Sequence, residues 1–464
     1  MKVAMIPTAR PTFAVDVAQQ RADQARALLT ELGAQVRGPR ELVMTPEDIG
    51  AAAGHLEGAD LVINVCASFS DANPALQLYA DQQAPVLLWA FREPGPVGDR
   101  LWLNSLCGAN LFGHALRRSG GQVRLLYGDP EEDQVRLALQ AALTGDLPPA
   151  PALPSAAGER ADTEEVRTAL ASLHGRSIGV IGDPPPGFTP SEYDPDLLTR
   201  VFGLRVQQLS IDEAFARVEA VGSEAQHEET RAAVAAQPSL DDLDPTEVSK
   251  HAAITVALRE WSGTHDLASV AVRCWPEFPT RVGVCPCSSL SRLAGEGVPT
   301  QCERDVYGAA TMVTLQALGA GMSYLVDTVD LDTGRNLVRF WHCGSAATTL
   351  AADPANAAQS VHCNRKIGVA GNFPLRAGPV IMARFTEDLA GDGLRLLIGS
   401  GQSLPGPNRF QGNTADVRLD TDASEFVHGL VTGGFPHHTV LAWTDVRPQL
   451  RAAADLLNIP VIEW

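Results

Sequence analysis

The sequence predicts an α/β protein: two doubly wound parallel-sheet domains followed by a mostly antiparallel, barrel-like β domain. Three observations predict it. Continuous apolar strand-like runs alternate with amphipathic helical patterns through the first 150 residues. A Pro- and Ala-rich stretch, "GDLPPAPALPSAAGERAD" at 145–162, then interrupts the pattern, and the alternation restarts after it. Beyond about residue 333 the chain changes to short strand-like runs punctuated by Gly, Pro and Asp. The expected domains are therefore 1–150, 163–333 and 334–464.

In the first domain, "KVAMIP", "ADLVINVCA", "APVLLWAF" and "QVRLLYG" are strands, separated by helical patterns such as "ADQARALLTELG" and "EEDQVRLALQAALTG". Strands without polar alternation indicate a parallel sheet covered on both faces. In the second domain, "RSIGVIGDPPPGF" is a strand running into a turn. Three consecutive prolines there remove the N–H donors that a phosphate-cradling loop requires, so it is a plain turn. A long helical, polar stretch from about 211 to 262 leads to the buried strand "ASVAVRCWPEF", then a Cys-containing loop, a helix headed by Glu303, and the strand "SYLVDTVDLD". In the third, "NLVRFWHCGSA", "RKIGVAG", "PVIMARFTE", "LRLLIGSG", "ADVRLDT" and "FVHGLVTGG" are expected as strands, with one helix in "VRPQLRAAADLLNI".

Composition narrows the function. The 464 residues are 45% hydrophobic and 20% charged, values of a globular protein. A net charge of −19 argues against a nucleic-acid backbone or an anionic membrane as partner and suits a divalent cation. The opening "MKVAMIPTAR" enters strand-like sequence directly, with no apolar signal segment, so the cytoplasm is the expected compartment. Eight cysteines lie mostly beside apolar residues, as reduced buried thiols do. Cys285 and Cys287 in "VCPCSS" form one cluster suited to zinc, but C-x-C is not the usual spacing and no second close pair follows. A packed loop is the plainer reading.

The residues that carry chemistry are scattered. Glu303 and Asp305 stand at the head of an apolar helical run in "QCERDVYGAATM". Asp327 follows the apolar part of "SYLVDTVDLD", at a strand end where α/β proteins place their chemistry. His342 stands behind two aromatics in "FWHCGSA", and His437 and His438 follow a Gly-Gly-Phe-Pro turn in "TGGFPHHTVLAW". Taken singly each has an ordinary explanation: a helix cap, a turn residue, a hydrogen-bonded core imidazole. Adjacent His residues on a strand point to opposite faces.

Together, Glu303 in "CERDVYGAATM", Asp327 in "YLVDT", "WHCG" and the terminal GG-x-x-HH-TV resemble the L-fucose isomerase and L-arabinose isomerase superfamily, best over 265–464. The resemblance implies a Mn²⁺-type ion, with Mg²⁺ or Co²⁺ as substitutes, held at the junction of the middle and C-terminal domains. Glu303 and Asp327 would be its carboxylate ligands and His438 its imidazole ligand. An Asp at 327 is the fucose-type choice, whereas His342 and the HHTV ending are arabinose-type, where His342 would also be a ligand. The implied activity is metal-dependent aldose–ketose isomerisation of a sugar through a cis-enediolate. In it the two carboxylates serve as ligands and as the acid/base pair. The resemblance also implies a homo-oligomer, a hexamer or trimer, in which the N-terminal domain closes a neighbour's site. Ser68, Phe69 and Arg92 would then face another subunit's metal, with Arg92 suited to an anionic sugar substituent. Trp275, Trp89 and Phe91 are candidates to lie against the sugar, although core positions explain each of them slightly better. Competing readings are a cytosolic sugar-binding protein, another metal-dependent epimerase or lyase, and a thiol or zinc enzyme centred on Cys285, Cys287 and Cys302.

Overall fold

The computed structural model describes residues 1–464. In the N-terminal region β1 (Lys2–Thr8), β2 (Gln35–Arg37), β3 (Leu61–Cys66), β4 (Val86–Ala90) and β5 (Val123–Tyr127) form a wholly parallel sheet in the order β2-β1-β3-β4-β5. Successive residues of β1 enter different cores. Val3 and Met5 pack with Leu28 and Leu29 of the helix Val15–Glu31, while Ala4 and Ile6 join Leu106 and Phe112 of the helix Ser105–Arg118. With both faces covered, most positions of β1, β3, β4 and β5 are apolar, which is why these strands read as nearly unbroken runs. The winding reverses between β1 and β3, so the loops after them diverge and leave a crevice at the strands' carboxyl ends. Arg10, Phe13, Ser68 and Phe69 stand on those loops.

The segment 145–162 lies outside regular helix and strand, and is pinned by a bridge from Ser155 to Ile462. A second parallel sheet follows, made of β6 (Ser177–Ile181), β7 (Arg205–Leu209), β8 (Leu267–Val272) and β9 (Thr300–Gln301) in the order β7-β6-β8-β9. Its strand ends lead to Phe188, Cys274, Trp275 and Glu303.

The third layer departs from expectation at its first strand. β10 (Ser323–Asp332), expected to end the middle domain, is antiparallel to β11 (Leu337–His342). The reason is pairing: β9 is two residues long and offers almost no edge, whereas the C-terminal strands offer a full one on each side. After the short β12 (Gln359–Ser360), β13 (Ala370–Gly371) and β14 (Phe373–Pro374) come β15 (Gly378–Glu387), β16 (Leu394–Leu404), β17 (Asn413–Leu419), β18 (His438–Ala442) and β19 (Val461–Glu463). Antiparallel pairings run β10-β11-β17-β16-β15-β18 and back to β10, so the sheet closes into a barrel without free edges. Of "RKIGVAG" only Ala370–Gly371 pairs as strand. The expected strand "FVHGLVTGG" is instead helical, as part of Ala423–Thr432. Asp422 caps it by accepting the Glu425 N–H at 2.9 Å, and Phe426, Val427, Leu430 and Val431 repeat at helical spacing on its buried face. That face meets the N-terminal helix Ser105–Arg118, where a Cβ on Gly113 would come within 2.6 Å of the Val431 carbonyl oxygen. No helix is long and apolar enough to cross a membrane.

Candidate active site

The strand ends of all three layers converge on one pocket, about 780 Å³ of space including its open mouth. Glu303 reaches it by an unusual backbone. Glu303 and Arg304 have φ of 59° and 60°, the left-handed region, which costs on the order of 1–3 kcal/mol for each such residue. Local bonds hold them there. Ser191 Oγ donates to the Glu303 carbonyl, Cys274 Sγ accepts the Glu303 N–H at 3.3 Å, and the Arg304 guanidinium donates to the carbonyls of Gly182 and Ser191. The helix itself begins at Val306, and its cap is Asp305, which accepts the Gly308 N–H at 2.8 Å. The cap explanation thus belongs to Asp305, and Glu303 is turned toward the pocket.

There Glu303 Oε1 accepts the Trp275 indole N–H at 3.0 Å, and Oε2 lies 3.1 Å from His438 Nε2. His438 Nδ1 lies 2.8 Å from Asp305 Oδ2, and Asp305 is gripped through both oxygens by Arg384, Nη2 at 2.9 Å from Oδ1. A carboxylate only accepts, so the Nδ1 proton is assigned to this bond and Nε2 is the atom turned to Glu303 and Asp327. Asp327 is directly opposite His438 in the β10–β18 ladder, with Oδ1 at 3.3 Å from Nε2. Because His437 precedes β18, strand alternation does not apply to the His pair. Their rings lie 4.2 Å apart, and His437 Nε2 is 4.0 Å from Asp327 Oδ1. His342 comes from the end of β11, its Nδ1 3.3 Å from Cys343 Sγ.

Ligand atoms of Glu303, His342 and His438 lie within 4.8 Å of one another. Asp327 Oδ1 and His342 Nε2 are buried without a hydrogen-bond partner. Leaving one such group unsatisfied costs about 1–3 kcal/mol, so two at one cluster call for a partner. Carboxylate oxygens and imidazole nitrogens together fit a Mn²⁺-like divalent cation.

The buried carboxylates and His438 hold one another charged. Burial pushes the Glu303 carboxyl up, yet the hydrogen bond and charge of His438 hold it below its ordinary value. Burial opposes ionisation of Asp305 too, and the charges of Arg384 and His438 overcome it. Burial pulls His438 down, but its hydrogen bonds to Asp305 and Glu303 and the neighbouring Asp327 carboxylate raise it well above 6.5. His342 and His437 are lowered, chiefly by burial.

The other expected site residues divide. Trp275 and Phe69 line the pocket. Phe69 does so in its own chain, edge-on to His437 at 6.0 Å, and Ser68 Oγ accepts the Arg10 N–H beside it at 3.1 Å. Trp89 and Phe91 are core: the Trp89 indole donates to the Gly128 carbonyl at 2.9 Å and packs edge-on to Phe91 at 5.6 Å. β4, between β3 and β5, is covered on both faces, which leaves no route to the pocket. Arg92 is a strut, paired with Glu132 at 2.6 Å and donating to the Leu331 carbonyl at 2.7 Å, so its charge is already matched elsewhere. Cys285, Cys287 and Cys302 are free, buried thiols beside the pocket, with Cys287 Sγ 3.8 Å from Cys343 Sγ.

Sequence reasoning missed Asp305 as a support, together with Arg384, Phe188, Arg10, His362 and Arg365. Phe188 leaves the triple-proline turn to pack 5.3 Å from His437 and 5.8 Å from His438. Its only signal was being the first aromatic after a strand end.

No family model matches the chain. Over 466 residues it is 34% identical to the sulfoquinovose isomerase of Alkalicoccus urumqiensis, covering 100% of this chain and 99% of that one. It is 31% identical over 460 residues to the sulfoquinovose isomerase of Priestia megaterium, covering 98% of each. With that of Clostridium sp. (strain MSTE9) it shares 30% over 460 residues, 99% of this chain and 98% of the other.

Proposed function

The chain belongs to the family of sulfoquinovose isomerases, which are sugar isomerases, and on that premise we propose that it is a metal-dependent aldose–ketose isomerase acting on sulfoquinovose. This sugar is a glucose bearing a sulfonate in place of the 6-hydroxyl, and the product would be the corresponding 2-ketose. The observation that carries the metal-dependent reading is the cluster of Glu303, His342 and His438, with Asp327 Oδ1 3.3 Å from His438 Nε2 and two unpartnered buried atoms, at the wall of one pocket. Those four residues would hold the ion, Mn²⁺ by donor type, with Mg²⁺ or Co²⁺ as substitutes. When bound, it supplies Lewis-acid polarisation of the sugar's carbonyl and adjacent hydroxyl oxygens.

The chain's own groups move the protons. Glu303, ionised and fixed by the Trp275 N–H, takes the proton from C2 of the open-chain aldose and returns it to C1. The cis-enediolate lies between these steps. Asp327 passes the hydroxyl proton from O2 to O1, so one C–H and one O–H bond break and one of each forms. Asp305 and Arg384 hold His438 in the required tautomer, and Phe69 and Phe188 shield the His pair from water. Wider kinship with the L-fucose and L-arabinose isomerases, including assembly as a hexamer or trimer, is part of this proposal. Two α/β layers ahead of a closed barrel support it.

The test is sulfoquinovose with Mn²⁺ in D₂O, followed by NMR for ketose formation and deuterium uptake at carbon. Conversion that is lost on chelation and restored by Mn²⁺ is expected. Full turnover in excess chelator would remove the metal from the reading, and absence of any conversion would remove the substrate.

A further inference from the structure

Two arginines face the same pocket without partners. Arg10, on the loop after β1, holds its guanidinium carbon 4.6 Å over the Trp275 ring. Arg365, on the turn after β12, is positioned by His362, whose Nδ1 accepts the backbone N–H groups of Asn364 and Arg365 at 3.2 and 3.3 Å. Both line the cavity that contains Glu303 and Asp327, and both are half-buried. Neither guanidinium makes a side-chain hydrogen bond or an ion pair, whereas other cations nearby are committed: Arg384 to Asp305, Arg304 to two carbonyls, Arg100 to the Thr12 carbonyl and Asn364.

This is unexpected in a chain with 55 acidic and 36 basic residues, where a carboxylate partner is easily supplied. Burial lowers the Arg10 pKa, Asp71 opposes that, and Arg365 adds to the lowering, so the two cations repel each other. Two unpaired, half-buried guanidiniums destabilise a pocket unless an anion bridges them. A guanidinium presents a planar fork of donors that matches a three-oxygen anion.

Resting on the isomerase reading above for the sugar at the opposite end, we infer that Arg10 and Arg365 form the site for the substrate's terminal sulfonate. Trp275 sets the spacing. Its N–H holds Glu303 while its ring carries Arg10, so the proton-transfer carboxylate and the anion site stand about one indole apart. A six-carbon chain extended along that ring presents C1 and C2 to Glu303 and C6 to the arginines. The site selects the anionic sugar from its neutral parent, the task the sequence had led us to expect of Arg92.

The test separates binding from turnover by using alditols, which are open-chain and have no carbonyl to isomerise. Calorimetry on the Mn²⁺-supplemented protein compares 6-deoxy-6-sulfoglucitol, glucitol and glucitol 6-phosphate. Wild type should bind the sulfonated alditol at least tenfold more tightly than glucitol. Arg10→Met and Arg365→Met should each reduce that preference, the double variant should abolish it, and Arg→Lys at either position should keep part of it. Unchanged melting temperatures in the Lys variants guard against misfolding. Full preference retained in the double variant overturns the assignment while leaving the isomerase reading intact. Tighter binding of the 6-phosphate than of the sulfonate overturns sulfonate as the ligand. Arginine-dependent preference without any sugar turnover supports the anion site and removes the isomerase reading instead.

Discussion

The two ends of the pocket are built differently. At the barrel end, ladder register puts Asp327 opposite His438, and Arg384 and Asp305 lock His438 from behind. At the other end, Arg10 from the N-terminal layer and Arg365 from the turn after β12 stand on loops, their backbones tied down while their guanidiniums have no protein partner. A closed barrel tolerates little displacement, as groups that handle protons require. Loops adapt, as groups that select a substituent can. On the proposed reading the barrel wall holds two of the metal ligands, Asp327 and His438, and the loops hold the anion site.

The strongest break of that contrast is Glu303→Gln, which keeps size and removes the proton acceptor. Turnover should fall by roughly 10² to 10⁴-fold, with little recovery at high Mn²⁺, whereas His438→Asn should be partly rescued by added metal. Near wild-type rates in Glu303→Gln would return Glu303 to a structural role.

Next in size is Arg384→Met. It leaves Asp305 buried against His438 without its cation, and breaking a buried pair costs about 3–5 kcal/mol. Urea denaturation should show that loss. A variant as stable as wild type would mean that the barrel end does not depend on this pair.

A smaller effect is the pH dependence of metal binding. In metal-free protein His438 keeps its proton well above the ordinary 6.5, because three carboxylates outweigh burial. Its folded value being raised, it contributes stability that is fully present below the unfolded value and is lost as pH rises through the folded one. A cation on Nε2 displaces that proton, so Mn²⁺ affinity should climb with pH, by about tenfold per unit below the His438 pKa. Calorimetry in buffers of different ionisation enthalpy counts the proton released, and a count of zero would exclude Nε2 as a ligand.

The smallest effect is expected for Arg92→Met. Its pair with Glu132 is partly exposed and worth about 0–1 kcal/mol. KM for the sulfonated sugar should not move, whereas in Arg365→Met it should rise. An equal rise in both would erase the distinction between strut and site.

Layers, and the residues at their ends, were legible from local pattern. Runs such as "VLLWA" and "LVINVC" could only be strands buried on both faces, and short strands with Gly and Pro turns could only be the antiparallel layer. The residues of the proposed cation site, Glu303, Asp327, His342 and His438, were visible as acids and imidazoles bordering apolar runs. Local pattern misassigned "FVHGLVTGG", where the cap at Asp422 and packing against the Gly113 face favour helix over strand.

Pairing across long stretches of chain was decided only by the tertiary structure. Nothing local ties Asp305 to His438, Arg10 to Trp275, or β10 to a barrel instead of the sheet before it. Trp89 and Trp275 are alike as neighbours of strand ends, yet one is sealed beneath a second helical face and the other opens on the pocket. The physical reason is that side-chain identity and periodicity determine what each segment must bury. Which charge meets which depends on where the closed barrel and the two sheet ends come together, and that follows from packing the whole chain at once.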